Sequence, residues 1–313
     1  MSEIKPLTLA CLCRKVTIPL SVPSSYLPLR THLCHCSYCR HIFGMLCVFH
    51  TVLPESCFPP DFSPISLGLT KYPATENGIK YFCETCGSHM IDYEPKDKQW
   101  WISTGVLDQK ADETLLFAEH IFVGSSGDGG FADWLPSVSG KELPRWEARS
   151  GSALIPQDWR DPNYELLSLA LAKRSDKLHA YCYCKGVQFD ISRPDPEDKD
   201  TWWMSKDKRR WWASNCCCES CARESGNNLT HMAFVCADHI TLPDGSPFRM
   251  PFGTMKTYHS SPGTQRTFCG TCGATVFYHA DERPKMVAVA PGLFDASGAR
   301  AEDWLAWLDG RYV

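Results

Sequence analysis

Apolar residues along most of the chain occur in short runs that are rich in β-branched and aromatic side chains, with glycine, proline and polar residues between them. This pattern predicts β-strands joined by turns. The clearest runs lie at 45–52, 100–104, 275–278 and 286–290. Two other segments predict helices, at 164–174 and, more briefly, at 302–308. We therefore expect a mainly β fold with few short helices.

The cysteines form one ordered series that occurs twice. The first series is Cys11-x-Cys13, Cys34-x-Cys36-x-x-Cys39 and Cys83-x-x-Cys86, and the second is Cys182-x-Cys184, Cys216-x-Cys218-x-x-Cys221 and Cys269-x-x-Cys272. We call the middle three cysteines of each series a triad and the outer four a quartet. Gly44 follows the first triad as Gly226 follows the second. The repeated order indicates a tandem duplication.

The boundary between the copies is expected where prolines concentrate after residue 135. We predict a first domain over 1–135, a linker over 136–177 and a second domain over 178–313. The linker contains the predicted helix, whose leucines Leu166, Leu167 and Leu169 are too continuous for a solvated connector. We expect this helix to pack on one or both domains.

Charge and hydropathy exclude two classes of function. The 313 residues include 32 Lys and Arg against 36 Asp and Glu, so no chain-wide basic field exists to hold nucleic acid. The longest apolar runs, such as 42–49, are far shorter than the ~20 residues of a membrane span. The first residues show no secretory signal, so a cytoplasmic location is expected. In that reducing compartment, 18 cysteines favour metal binding over disulfides.

Each quartet has the spacing of a structural zinc site. Two short cysteine pairs that are distant in sequence supply four thiolates in a tetrahedron and hold two turns together. The first quartet is Cys11, Cys13, Cys83 and Cys86, and the second is Cys182, Cys184, Cys269 and Cys272. Reduced thiols without metal are the alternative.

Each triad predicts a different kind of site. Three thiolates from one loop leave a tetrahedral zinc ion with a fourth position for water or substrate. The predicted catalytic ligands are Cys34, Cys36 and Cys39 in the first half and Cys216, Cys218 and Cys221 in the second. An alternative closes the first site with a histidine, from His32, His35 or His41. In the second half, Cys217 is either a fourth ligand or a spectator, and alternation along an extended chain favours the spectator.

Other residues are candidates by their place in the sequence. Proton transfer near neutral pH suggests His35, His41, His231, His259 and Tyr81, although a structural or surface role is the simpler interpretation of each. Substrate carboxylates suggest four cations, Arg40, Lys80, Arg223 and Arg266. The cysteines outside the series are interpreted as buried thiols, Cys47, Cys57, Cys217 and Cys236.

The second copy carries an insert that mixes tryptophans with cations. It contains Trp202, Trp203, a basic run at 206–210, Trp211 and Trp212. Such a segment lines a pocket for an aromatic ligand or contacts phosphate. The alternative is a solvated basic loop whose tryptophans pack onto the domain.

These motifs resemble a known family, the glutathione-dependent formaldehyde-activating enzymes and the related centromere protein V domains. The first half carries the resemblance at 11–16 (CLCRKV), 34–40 (CHCSYCR) and 81–88 (YFCETCGS), and the second at 182–187 (CYCKGV), 216–221 (CCCESC) and 266–273 (RTFCGTCG). The chain departs from the family at Arg14 and Lys185, where glycine is usual.

The resemblance implies two tandem domains of the Mss4-like β fold with two to four zinc ions per chain. It implies structural zinc on the quartets, catalytic zinc on the triads, and carbon-sulfur lyase activity on a small-molecule thiol adduct, with glutathione as co-substrate. Two other functions remain open. One is a zinc Lewis-acid enzyme that catalyses dehydration, cyclisation or addition on a specialised small molecule, and the other is a non-catalytic, zinc-stabilised interaction protein.

Overall fold

The computed structural model describes residues 3–76, 78–109, 113–174, 176–197 and 203–312. Two antiparallel-rich sheets of seven strands dominate it, one in each half of the chain. Three α-helices occur among the described residues, and each has 11 residues or fewer. The expectation of a mainly β protein with two domains and few short helices is therefore confirmed.

The first half begins with a hairpin of two strands, β1 and β2, followed by the first large sheet. In chain order the elements are β1 Ile4–Ala10, β2 Thr17–Pro23, β3 Leu29–Cys34, α1 Ser37–Phe43, β4 Val48–Pro54, β5 Leu69–Thr75, β6 Gly78–Cys83, β7 His89–Glu94, β8 Gln99–Ser103 and β9 Leu115–Ile121. The large sheet has the strand order β5-β6-β7-β8-β4-β3-β9. Only the β3–β9 pair within it is parallel.

A long connecting region, residues 122–176, leads to the second half. It contains the two-residue strands β10 Ser137–Val138 and β11 Lys141–Glu142 and the helix α2 Tyr164–Arg174. The helix contacts the second half through a hydrogen bond from Ser168 to Asp303. The helix thus contacts the second half, but Leu166, Leu167 and Leu169 remain 67%, 48% and 59% exposed and are not buried in that contact. The apolar residues of α2 lie on all sides of the helix, so a neighbour on one side leaves the others exposed.

The second half repeats the first, except that its opening hairpin gains a third short strand, β16 (Ile240–Thr241), beside β13 (Gln188–Ser192). Its elements are β12 Lys177–Tyr181, β13 Gln188–Ser192, β14 Trp211–Cys216, α3 Glu219–Ser225, β15 Thr230–Cys236, β16 Ile240–Thr241, β17 Met255–Ser261, β18 Thr264–Cys269, β19 Thr275–Ala280, β20 Met286–Val289 and β21 Leu305–Tyr312. The large sheet has the order β17-β18-β19-β20-β15-β14-β21, which matches the first sheet strand for strand.

Two details of the sequence interpretation differ from the structure. The predicted helix at 302–308 is wrong, because β21 pairs in parallel with β14 and places Leu305 opposite Trp211. The apolar residues at this end have helical spacing over only one turn, and a helix that short forms few backbone hydrogen bonds. Pairing with the edge of β14 satisfies more of the backbone N–H and C=O groups, so the strand is favoured. The run at 45–52 forms a strand only from Val48, because the chain before it turns at Gly44.

The halves meet around a pseudo-two-fold axis. The glycine that ends α1, Gly44, accepts a hydrogen bond from Gly292 N in the second half at 3.0 Å, and its counterpart Gly226 accepts one from Gly105 N in the first half at 2.9 Å. Reciprocal contacts of this kind are characteristic of a two-fold interface. A Cβ on Gly44 would lie 2.3 Å from the carbonyl oxygen of Thr275, so no other residue fits without a shift.

The repeated Phe-Cys-x-x-Cys-Gly motif has its explanation at the same interface. A Cβ on Gly87 would lie 2.4 Å from the ring of Phe268, and a Cβ on Gly273 would lie 2.6 Å from the ring of Phe82. The two rings pack edge to face with centroids 6.2 Å apart. The phenylalanine of each half thus fills the space that the glycine of the other half leaves open.

Candidate metal centres

The two quartets lie where strands end in tight turns. Cys11 follows β1 and Cys83 ends β6, and the four sulfurs of the first quartet lie within 4.8 Å of one another. The second quartet has the same arrangement and the same limit. Backbone N–H groups of Val16 and Val187 donate to Cys11 and Cys182, both at 3.3 Å. Backbone donors at cysteine sulfur favour the thiolate, which is the form that binds metal.

The residue after each Cys-x-Cys adopts a left-handed conformation. Arg14 has a φ of 60° and Lys185 a φ of 58°. This region costs an L-residue about 1–2 kcal/mol relative to glycine. A glycine at this position, as is usual in the family that the motifs resemble, would avoid this strain, and the turn at each quartet tolerates it in this chain.

The two triads join a strand to a short helix. Cys34 ends β3, while Cys36 precedes α1 and accepts a hydrogen bond from Cys39 N at 3.3 Å. Cys218 accepts from Cys221 N at 3.4 Å in the same way. Within each triad the three sulfurs lie within 4.8 Å of one another.

The donor set of each cluster fits a thiophilic cation. Neighbouring thiols hydrogen-bond to one another, and these bonds favour the thiolate at one sulfur of each triad. Hydrogen bonds from Cys34 and Cys39 lower the pKa of Cys36 to about 3. A hydrogen bond from Cys221 lowers the pKa of Cys218 to about 5. Tetrahedral zinc is the ion that all-sulfur sites of this kind select most often. Four such clusters occur among the described residues.

The histidines proposed to close the first triad have other partners. His32 Nδ1 lies 2.9 Å from Glu119, His35 Nε2 lies 3.0 Å from His120 Nδ1, and His41 Nδ1 lies 2.9 Å from the carbonyl oxygen of Tyr181. Across the described part of the chain, no histidine, carboxylate or fourth cysteine joins either triad within 4.8 Å. Each triad therefore offers three protein donors and leaves a fourth position.

The cysteines outside the series divide into two groups. Cys47, Cys57 and Cys236 are buried, as expected. Cys217 is exposed, so its interpretation as a buried thiol is wrong. It lies between two triad ligands, and successive residues of an extended segment point in opposite directions.

Lys80 and Arg266 occupy equivalent positions beside the two triads. Lys80 forms a buried ion pair with Asp92, and Arg266 forms one with Glu224. Arg266 also lies 3.7 Å from the sulfur of Cys221. Burial raises the pKa of Glu224 to about 7, against the opposing effect of Arg266. Sequence analysis missed both carboxylates, because their pairing depends on the strand register and on the helix packing.

Arg40 and Arg223 hold elements together. Arg40 donates to the carbonyl oxygen of Ser125 at 3.3 Å, and Arg223 donates to that of Ala10 at 2.8 Å. Arg223 matches His41 by position, since each lies two residues after the last triad cysteine. Each contacts the carbonyl that precedes the first quartet cysteine of the other half. A substrate-binding role for the four cations stays a prediction.

The other proton-transfer candidates lie in the protein core or at the surface. Tyr81 packs against Trp100 in the core of the first half. His231 is fully buried near Phe131, and burial lowers its pKa to about 3. His259 is exposed on β17. Sequence proximity selected these residues, and among the described residues no histidine joins either triad within 4.8 Å.

The tryptophans of the insert pack into the domain where they are described. Trp203 and Trp211 belong to the main core, and Trp211 donates to the carbonyl oxygen of Ser192 at 3.1 Å. Trp212 is half-buried, and residues 206–209 (KDKR) are exposed. Trp202 lies outside the described residues. The packing favours the interpretation as a solvated basic loop.

Comparison with known proteins finds one family. The family model described as glutathione-dependent formaldehyde-activating enzyme matches residues 6–125 and 177–309. Each matched region contains one quartet and one triad, and the predicted linker falls almost wholly between them. A search of curated proteins found no match. Among the helices of the described residues, none has the length and apolar character needed to cross a membrane.

Proposed function

Since the chain belongs to the glutathione-dependent formaldehyde-activating enzyme family, as two tandem copies, we propose that it is a zinc enzyme of the carbon-sulfur lyase type. Its reaction makes or breaks a carbon-sulfur bond between a thiol such as glutathione and a small electrophile such as formaldehyde. The clusters hold up to four zinc ions per chain, two structural and two on the triads.

One observation carries this proposal: each triad gathers three sulfurs and has no fourth protein donor among the described residues. A zinc ion bound there supplies a Lewis acid that favours the thiolate form of a substrate thiol. The quartets have a complete set of four donors, which is the composition of a structural site.

The protein supplies charge and shelter around the first triad. Cys34 and Cys39 are 3% and 5% exposed, so water is largely excluded from this side of the cluster. The ammonium of Lys80 lies over the rings of Tyr38 and Phe43, at 5.4 and 5.3 Å from their centroids. This buried cation favours negative charge on sulfur in a region of low dielectric.

The test is exchange between glutathione and ¹³C-formaldehyde. Zinc-loaded protein is expected to accelerate the interconversion of formaldehyde hydrate and the thiol adduct, as measured by ¹³C NMR exchange spectroscopy. The matched control is the double variant Cys36→Ser, Cys218→Ser, which retains both quartets and should fall to the buffer rate. Exchange no faster than buffer with glutathione, cysteine or mercaptoethanol would contradict the proposal.

A further inference from the structure

The corresponding cysteines of the two triads differ in exposure. In the first triad only the middle cysteine, Cys36, is partly exposed, and the outer two are buried. In the second triad Cys218 is exposed and Cys216 is partly exposed, so only Cys221 is buried. Both triads offer three sulfurs, and the second presents more of its cluster to solvent.

The loops that carry the triads show the same contrast. Residues 217–220 of the second half are all exposed. In the corresponding segment of the first half, 35–38, only Ser37 is exposed. Both loops join a strand to the first turn of a seven-residue helix, so the local backbone does not account for the difference. A neighbouring element must cover the first loop.

The element that covers the first triad comes from the second half. Tyr183 is the middle residue of the Cys-x-Cys turn in the second quartet. Its ring packs edge to face on the ring of Tyr38, with centroids 4.9 Å apart. Tyr38 directly precedes the triad ligand Cys39, so this contact is made beside the first triad. We call Tyr38 and Tyr183 the tyrosine cover.

Further contacts fix Tyr183 in place. Its backbone N–H donates to the carbonyl oxygen of His41 at 3.1 Å, and its hydroxyl donates to that of Ala74 at 3.5 Å. Its ring centroid lies 6.4 Å from that of Tyr72. Each aromatic pair is worth about 0.5–1.5 kcal/mol beyond the area it buries. The ring therefore bridges α1 and β5 of the first half as a stable part of the interface.

Tyr38 is held from its other side. The ammonium of Lys80 lies 5.4 Å from the centroid of its ring. A Cβ on Gly78 would lie 3.7 Å from its hydroxyl oxygen, so the start of β6 borders this end of the side chain. The tyrosine cover is thus packed against both halves of the chain.

The second half has neither ring of the cover at the corresponding positions. Ser220 directly precedes the last cysteine of the second triad, where the first half has Tyr38. Leu12 is the middle residue of the first Cys-x-Cys turn, where the second half has Tyr183. Ser220 is exposed. A serine and a leucine are too small to span the distance that two packed tyrosine rings cover.

An exposed ion pair joins the same two elements at the second triad. Arg14, in the turn of the first quartet, lies 3.4 Å from Glu219 at the start of α3. Their side chains are 53% and 66% exposed. Exposed ion pairs contribute about 0–1 kcal/mol and are weakened by salt. Charged side chains in water therefore border the second triad, where packed rings border the first.

Charge does not separate the two triads. Each has a buried cation with a buried carboxylate partner, Lys80 with Asp92 and Arg266 with Glu224. Each has three sulfurs and the same helix after them. The feature that differs is the path from solvent to the fourth position, which a substrate thiol has to follow.

Resting on the proposed function, we propose that substrate thiols reach the second triad and not the first, and that Tyr183 closes the first triad. The chain then has one site of turnover, bordered by the triad loop of the second half and the quartet turn of the first. Tyr183 is a positioning residue, because it acts by holding Tyr38 beside the first triad and touches no substrate.

The first experiment removes the second triad and then opens the first, in the zinc-loaded full chain. We expect Cys218→Ser to lower glutathione–formaldehyde exchange to the buffer rate, although the first triad is intact. Adding Tyr183→Leu, which introduces the residue of the equivalent turn, should restore exchange above the buffer rate. The matched control adds Leu12→Ala instead and should stay at the buffer rate.

Two results would overturn the inference while the proposed function stands. One is that Cys218→Ser alone retains half of the wild-type exchange rate or more. The other is that the added Tyr183→Leu restores no exchange in folded protein that keeps the zinc of the first triad. If Tyr183→Leu folds poorly, Tyr38→Ser replaces it, because serine is the residue that the second half has at this position.

A second readout does not depend on turnover. Cadmium-113 NMR of the cadmium-loaded full chain responds to the number of sulfur donors at each ion, and the triad resonances are assigned by their loss in Cys36→Ser and Cys218→Ser. We expect mercaptoethanol to shift only the resonance of the second triad in wild type and the resonances of both triads in Tyr183→Leu.

A shift of the first-triad resonance in wild type, or no shift of the second, would overturn the inference. A pattern in Tyr183→Leu identical to that of wild type would overturn the closing role of Tyr183. If mercaptoethanol shifts only the second-triad resonance but wild type exchanges no formaldehyde, the proposed function fails and the difference in access between the triads stands.

Discussion

The contact between the triad helix of one half and the sheet of the other is sensitive to a single methyl group at Gly44. Gly44 has a φ of 75°, and a Cβ there would lie 2.3 Å from the carbonyl oxygen of Thr275 and 3.0 Å from the Cβ of Ala290. Both neighbours belong to the second half. A Gly44→Ala variant must therefore separate the halves locally or distort the turn after the triad.

The matched control is Gly140→Ala in the β10–β11 turn. Gly140 has the same φ of 75°, but a Cβ added there would have nothing within 4 Å of it. Both variants bear the left-handed strain of about 1–2 kcal/mol. Only Gly44→Ala adds the cost of overpacking, typically about 1–3 kcal/mol. We expect Gly44→Ala to lose about 2–5 kcal/mol of unfolding free energy and Gly140→Ala about 1–2 kcal/mol.

The assay is urea unfolding of the zinc-loaded variants, followed by tryptophan fluorescence. The difference between the two variants isolates the contact between the halves, since the backbone strain cancels. Equal losses for Gly44→Ala and Gly140→Ala would refute the reasoning, because a real contact at 2.3 Å cannot be free of cost.

Three further predictions concern the metal sites, the pH dependence of stability and the interface. Cys83→Ser should unfold its half and lower the thermal midpoint sharply, whereas Cys36→Ser should lose one metal and keep the fold; equal losses of folding would contradict the division into structural and open sites. The pKa of His231 lies near 3, below that of an unfolded histidine, so the unfolded state binds the extra proton and stability falls as pH drops below about 6.5. In His231→Gln, the loss of unfolding free energy between pH 7 and 5.5 should be about 1 kcal/mol smaller than in wild type, and an identical loss in urea titrations would exclude this histidine as a source. Phe268→Ala should cost about 3–5 kcal/mol, because the ring fills the space beside Gly87; a cost below 1 kcal/mol by the same measurement would show that the interface does not depend on it.

The clusters could be predicted from the sequence because metal ligation constrains spacing directly. Two cysteines separated by one or two residues can reach one ion only from a tight turn, and a second such pair completes the set. The spacing of Cys34, Cys36 and Cys39 likewise required a single loop. All four groups of sulfurs come together as the spacing predicts.

The neighbours of the triads could not be predicted because they depend on register and on contacts between the halves. His50 lies beside His32 only through the pairing of β3 with β4, and Asp92 lies beside Lys80 only through that of β6 with β7. Side chains two residues apart on a strand share one face, so the sequence alone indicates that His32 lies on the same face as Cys34. No other neighbour of the triad has such a local signal. The pairing partner on the next strand has no local signature.

The chain end was misinterpreted for a related reason. The segment at 302–308 has helical spacing, but parallel pairing with β14 decides its structure. Long-range pairing of this kind overrides local propensity. The positive φ angles of Arg14 and Lys185 show the same effect at the quartets, where the tight turn that gathers the cysteines prevails over local preference.

The most direct test of the central claim is the zinc content of protein purified under reducing conditions. With two closed quartets and two open triads, the account predicts about four zinc ions per chain for wild type, and about three for Cys36→Ser with its fold retained. About two zinc ions per chain in wild type, unchanged by Cys36→Ser, would show that the triads hold no metal and would contradict the account.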